Sequence, residues 1–203
     1  MRLLIASSNR GKLREIQAVL AGLPVDLVLP TDLGLALQVE ESGATYAENA
    51  ALKARAYCQA SGLLTLADDS GLEVDALHGA PGLHSARFSP LPDASDADRR
   101  ALLIQSLRGI PVAPGVPGWP AHFHCTVALA EPTGSLHTAE GRCDGFIIIQ
   151  ERGHNGFGYD PIFYIPEQRA TMAELPSEVK NRISHRARAL QAALPRLHSQ
   201  IAA

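Results

Sequence analysis

The sequence predicts an α/β protein with two lobes, and three observations carry that prediction. The chain opens as a β-α-β unit, capped helices then alternate with short apolar runs, and two later apolar runs are joined by the turn-forming Glu131-Pro132-Thr133-Gly134. Residues 2–6 form the first strand. A polar turn follows, and Leu13, Ile16, Gln17 and Leu20 then hold helical spacing over residues 11–20 until Gly22 and Pro24. Residues 25–29 read as the second strand. Beyond a polar loop with Glu40, Glu41, Ser42 and Gly43, Thr45 and Glu48 form a capping box, and Gly62 stops the helix they start. Residues 63–67 make the next strand, which runs straight into Asp68-Asp69-Ser70-Gly71, a carboxylate site or, in the blander alternative, a turn that reverses at Gly71. Ser95 and Asp98 open a helix that ends at Gly109. Four prolines mark 110–120 as a linker or surface loop. Strands at 123–130 and 136–149, a glycine-rich loop at 150–159 and a strand at 162–165 follow. A helical stretch from residue 177, kinked or ended by Pro195, completes the chain.

Composition excludes several classes. With 203 residues, 46% hydrophobic and a net charge of -3, the chain is neither disordered nor in need of covalent staples. No apolar run approaches the roughly 18 residues that cross a bilayer, and the start is too short for a secretory segment. The slight acidity speaks against a nucleic-acid polymer as partner. The 3 cysteines, Cys58, Cys125 and Cys143, lack C-x-x-C spacing and read as small buried hydrophobes. The expectation is a cytoplasmic protein with no membrane partner.

Four polar clusters interrupt the apolar plan. Ser7, Ser8, Asn9, Arg10, Gly11 and Lys12 lie at a strand-to-helix turn, where backbone N–H groups and a lysine can cradle phosphate, or where the turn is merely solvated. Asp68 and Asp69 follow an apolar strand, with Glu40 and Glu41 in another loop; such hard oxygen donors suit Mg²⁺. Strand alternation sends the two aspartates to opposite faces, so that only one serves a given site. The third cluster is the loop with Gly156, Phe157, Gly158, Tyr159 and Asp160. Turn geometry explains its glycines, and its aromatics can stack on a flat ring. The fourth is Lys180, Ser184, His185, Arg186 and Arg188, which on spacing alone reads as a solvated basic helix face.

Taken in order, these blocks resemble the non-canonical purine nucleoside triphosphate pyrophosphatases, the inosine triphosphatase (Ham1-like) family. The resemblance rests on Ser8-Asn9-Arg10-Gly11-Lys12 with Glu15, Glu48-Asn49-Ala50 with Lys53-Ala54, and Ala67 through Val74. Gly79-Ala80-Pro81-Gly82, Ser85-Ala86-Arg87, Gly156 through Phe163, Ala173-Glu174-Leu175, Lys180-Asn181 and Ile183-Ser184-His185-Arg186 extend it. It implies one pyrophosphatase domain over residues 1–203, with an elongated mixed sheet, two lobes flanked by helices and a central nucleotide-binding cleft. It also implies a homodimer that hydrolyses inosine, deoxyinosine and xanthosine triphosphates to monophosphate and pyrophosphate with Mg²⁺. By this resemblance Asp69 is the general base, Glu40 and Asp69 hold the metal, and Ser7 to Lys12 bind the triphosphate. Ser70, Phe157, Gly158, Tyr159, Asp160, Lys180, His185 and Arg186 contact the nucleotide. A pyrophosphatase for a damaged pyrimidine nucleotide and a non-catalytic nucleotide-binding module are the two rival readings. The intact Asp69, Lys12, Lys180 and His185-Arg186 set speaks against the second.

Overall fold

The computed structural model describes residues 1–201, and the last two residues of the expected domain lie outside that range. Seven strands are hydrogen-bonded in the order β2-β1-β3-β4-β5-β6-β7: β1 (Arg2–Ile5), β2 (Asp26–Val28), β3 (Leu64–Val74), β4 (Trp119–Ala130), β5 (Leu136–Ile147), β6 (Phe163–Ile165) and β7 (Ala170–Thr171). The helices are α1 (Arg10–Leu20), α2 (Tyr46–Ser61), α3 (Asp96–Leu107), α4 (Ser177–Ile183) and α5 (His185–Ile201). The sheet is mixed: β1 runs parallel to β2 and β3, while β6 runs antiparallel to β5 and β7. No helix among the described residues is long and apolar enough to cross a membrane.

The chain divides into two compact units. The first gathers Met1–Asp69, Cys125–Gly141 and the segment from Ser184; the second gathers Ser70–His124 and Arg142–Ile183. In the first unit, Leu3, Ile5, Ile16, Leu20, Leu66, Val127 and Leu190 form one core. A second, small-residue cluster sets Ala50, Ala54 and Cys58 of α2 against Ala6, Ala67, Ala128 and Ala130. Their spacing of four puts them on one helix face, and their small size lets α2 lie close to the strands. The second unit packs Leu72, Val74, Leu103, Leu107, Phe123, Ile147, Ile162 and Phe163 around its own core. All three cysteines are buried and free, as the composition suggested.

Local signals placed the helix ends well. Thr45 Oγ1 accepts from Glu48 N–H, and Gly62 takes the left-handed conformation at the stop with φ 68°. The return bond of Glu48 goes to Ala44 N–H rather than to Thr45. Ser95 and Asp98 complete a reciprocal box at α3.

Three expectations are corrected. The strand does not end at Ala67; β3 continues through Asp68-Asp69-Ser70-Gly71 to Val74, because Leu72 and Val74 are core residues, and the alternative of a turn there falls away. The C-terminal helix does not end at Pro195, which lies inside α5. It breaks at Ser184, whose Oγ accepts from Ala187 N–H and caps α5. Finally, Trp119 to Ala121 belong to β4, so the proline-rich loop is shorter than expected, and β5 stops at Ile147 rather than at residue 149.

Candidate active site

In the first unit, charged groups collect around β3. Asp68 and Asp69 sit in mid-strand, and the pleat sends them to different partners. Asp68 Oδ2 meets Lys12 Nζ at 3.1 Å and Arg186 Nε at 3.0 Å. Arg186 also donates to Glu15, so one buried guanidinium ties α1, β3 and α5 together. Burial alone would push the Asp68 carboxyl up; Lys12, Arg186 and Lys53 outweigh it and hold the group well below the usual carboxylate range. Burial, with the same carboxylate beside it, raises the Cys125 thiol to about 12, which keeps it protonated.

Asp69 has a different setting. Its Oδ2 accepts from Asn49 Nδ2 at 3.1 Å, and Lys53 Nζ stands 3.7 Å from its Oδ1. Burial pushes this carboxyl up, and Lys53, Lys12 and Asn49 only partly offset the effect. Lys53 bonds Glu41 at 2.9 Å, and the nearby carboxylates raise its pKa against the opposing effect of burial. Asn49 is oriented from both ends, since its Oδ1 accepts from Gly43 N–H at 2.8 Å. A Cβ on Gly43 would run into Glu48 and Asn49, so the loop needs glycine there to approach α2. Asn49 and Lys53 stand four apart on α2 and hold Asp69 together.

The turn from Ser7 to Lys12 differs from the expected cradle in one respect. Asn9 caps α1, and its Oδ1 already accepts from Gly11 N–H at 2.8 Å and Lys12 N–H at 3.1 Å. Ser7 Oγ accepts from Asn9 N–H at 3.2 Å. The side chains open to an anion are therefore those of the exposed Ser8, Asn9 and Arg10, with Lys12 behind them.

The basic tail is not a solvated face. Lys180 and His185 are buried, Ser184 and Arg186 are each 1% exposed, and only Arg188 of the cluster faces solvent. Arg186 in the first turn of α5 opposes the helix macrodipole, a cost that Asp68 and Glu15 offset. Arg186 thus serves carboxylates of the protein itself. Glu40 is exposed, and its neighbour Glu41 is the acid that shares Lys53 with Asp69. Asp69 and Glu41 are the hard oxygen donors here, and Mg²⁺ takes one or two carboxylates plus substrate oxygens. Among the described residues, no three acids, histidines or cysteines form an all-protein metal cage.

In the second unit, the glycine-rich loop folds around the buried Asp160. Its Oδ2 accepts from Phe157 N–H at 2.8 Å and from Lys180 Nζ, and that ammonium lies 5.0 Å from the centroid of the Phe157 ring. A Cβ on Gly156 would fall on the Asp160 carboxylate, which explains the glycine. Tyr159 donates to Ser85 O at 2.9 Å, and burial pushes its hydroxyl pKa up. Ser70 is the β3 residue that follows Asp69.

Residues 3–196 match the Ham1 family. The chain belongs to that family. A dITP/XTP pyrophosphatase of Desulforamulus reducens is 46% identical over 194 residues, covering 96% of this chain and 94% of the relative. One from Geobacter sulfurreducens is 49% identical over 189 residues, 93% and 92% of the two chains. A Ham1 protein of Coxiella burnetii superposes with a TM-score of 0.86 at 38% identity, covering 98% of this chain and 99% of that one. The Staphylococcus aureus Ham1 protein gives 0.85 at 35% identity, covering 98% and 100%. The Ham1 resemblance named Asp69, Lys12 and Lys180 from motifs alone. It did not name Asn49, Lys53, Glu41 or Glu15 as site residues, although the spacing of Asn49 and Lys53 on a capped helix was a usable signal.

Proposed function

We propose that this protein hydrolyses inosine, deoxyinosine and xanthosine triphosphates to the monophosphate and pyrophosphate, as a Mg²⁺-dependent cytoplasmic homodimer. The observation that carries the reading is the paired environment of Asp68 and Asp69. One carboxylate organises Lys12 and Arg186, and the other is left to act, held by Asn49 and Lys53. The names of the relatives support the substrate class.

In this mechanism the exposed Ser8, Asn9 and Arg10 and the ammonium of Lys12 take the triphosphate oxygens. Asp68 keeps Lys12 aimed at them. Asp69 accepts the proton of the attacking water, and Asn49 fixes the carboxylate orientation that this requires. Lys53 adds positive charge beside the same carboxylate, where charge on the phosphoryl group must be balanced. Mg²⁺, held by Asp69 with Glu41 favoured over Glu40, would polarise the phosphate oxygens and neutralise their charge. Ser70, Phe157 to Asp160, Lys180 and His185 remain the proposed nucleotide contacts, and Arg186, committed to Asp68 and Glu15, supports them from within the protein.

The test is product analysis over a panel of purine and pyrimidine triphosphates. Inosine triphosphate should yield the monophosphate and pyrophosphate, and chelation of Mg²⁺ should abolish turnover. Orthophosphate and the diphosphate as products would contradict the reaction. A preference for a modified pyrimidine would contradict the substrate class, and binding without turnover would leave a module with no enzyme activity.

A further inference from the structure

Helix α3 holds the glycine-rich loop of the second unit from outside. Asp96 is its first residue and Arg100 stands four later, so the two share a helix face. Asp96 Oδ2 accepts from Gly158 N–H at 2.7 Å, and Arg100 Nη1 donates to Gly158 O at 2.8 Å. The flanking peptides of one glycine are thus gripped by one anion and one cation. Arg100 also forms a two-pronged pair with Glu151, both contacts at 2.9 Å, which ties down the other end of the same loop. Arg99 pairs with Asp96 from the adjacent turn. Burial pushes the Asp96 carboxyl up, but Arg99, the Gly158 N–H and Arg100 bring it below its ordinary value, so its acceptor is charged at neutral pH.

These contacts fall where the loop most needs fixing. Gly156 and Gly158 both have positive φ, 76° and 63°, and two such glycines around one aromatic leave the chain many alternative paths. The peptide that carries Gly158 N–H also carries the carbonyl of Phe157, so the Asp96 bond sets the backbone just after the ring. The inner anchor is Asp160, which bonds Phe157 N–H just before it. The ring is held between these two carboxylates, with Lys180 over its face. Charge-assisted bonds of this length are the stronger kind. An exposed ion pair with no further task, by contrast, contributes little to stability.

We propose that Asp96 and Arg100 are positioning residues for the substrate, acting through the Gly158 peptides to place the Phe157 ring against the nucleotide; this rests on Phe157 being a nucleotide contact. The two residues touch no substrate. Their removal frees the loop without altering the carboxylates of the first unit, so the loss appears in KM rather than kcat.

The experiment compares inosine triphosphate kinetics of Asp96→Ala, Arg100→Ala, Phe157→Ala and the Asp96→Ala/Phe157→Ala double variant, with Asp96→Asn as a conservative control. The expected result is a rise in KM of about 10-fold for each of the first three, with kcat within about 2-fold. Asp96→Asn keeps an acceptor oxygen and should recover most of the loss. The double variant should be no worse than Phe157→Ala alone, since both act through one ring. Unchanged KM in Asp96→Ala, a fall in kcat instead, or additive losses in the double variant would overturn the proposal. Unchanged KM in Phe157→Ala would overturn the nucleotide contact and the proposal with it. Amide exchange separates the two failures: exchange at Gly158 should quicken in Asp96→Ala, and unchanged exchange there means that the clamp itself is absent.

Discussion

Asp68 meets Lys12 at 3.1 Å and Arg186 at 3.0 Å, whereas Asp69, one residue later on β3, faces Asn49 and Lys53. Both are buried acids on one strand, yet their carboxyls are driven in opposite directions. Asp68 is held below the usual carboxylate range by three cations that outweigh its burial, and Asp69 is raised because its partners do not outweigh its own. A pleated strand is what makes this possible, since neighbouring side chains leave on opposite faces. One short motif thereby supplies both a support and a reactive group. Asp68 organises cations, and Asp69 is left with an unfavourable charge, which is a common trade between stability and activity.

The largest expected effect comes from breaking the Asp68 side. Arg186→Ala leaves Asp68 and Glu15 without their shared guanidinium, and loss of one partner of a buried ion pair costs about 3–5 kcal/mol. For a chain of this size that lowers Tm by roughly 6–20 °C. Arg186→Lys should recover only part of it, because an ammonium cannot reproduce the guanidinium fork that spans both acids. Calorimetry of the three proteins checks this.

A smaller effect sharpens the Asp69 side. Asn49→Asp removes the donor that orients Asp69 and sets a second carboxylate against it. We expect kcat to fall about 10-fold or more, and Asn49→Ala to fall less, because alanine deletes the bond without adding repulsion. Steady-state kinetics on inosine triphosphate distinguish the two. Equal losses would show that the hydrogen bond matters and the charge does not.

The smallest effect is in pH. The depressed Asp68 contributes stability that is fully present above its unfolded pKa of about 3.9 and is lost as pH falls towards its folded value. The raised Asp69 has the opposite sign: it binds its proton more tightly in the folded state, so its contribution falls as pH rises through its range. Between pH 7 and about 5, Tm should therefore change little on account of Asp68. The Asp68→Asn variant should lose its deficit relative to the parent only well below pH 4. A deficit that vanishes at pH 6 would point to another titrating group.

Much of the fold was legible because it depends on neighbours in sequence. Thr45, Glu48 and Gly62 bound α2, and Ser95 with Asp98 starts α3, since caps are local chemistry. The continuation of β3 through Asp68-Asp69-Ser70-Gly71 was not legible, because the residues that extend it, Leu72 and Val74, act by packing on partners far along the chain. The basic tail misled for the same reason. Nothing in the spacing of Lys180, His185 and Arg186 tells that they are buried, as the carboxylates that offset the charges of Lys180 and Arg186, Asp160 and Asp68, lie 20 and 118 residues away in sequence. The resemblance points to Asp69, Lys12 and Glu40, whereas the pairing of Glu41 with Lys53 is visible only in the fold.

The division of labour between the two aspartates is tested most directly by measuring Tm and kcat together for Asp68→Asn and Asp69→Asn. Both substitutions are nearly isosteric, so each removes a charge and little else. For Asp69→Asn the expected result is a Tm at or above that of the parent and a kcat lower by about 10²-fold or more. For Asp68→Asn the expected Tm is lower by roughly 6–20 °C, because Lys12 loses its counter-ion and Arg186 keeps only Glu15 of its two. A Tm that falls equally in both variants, or a kcat that survives Asp69→Asn, would contradict that division.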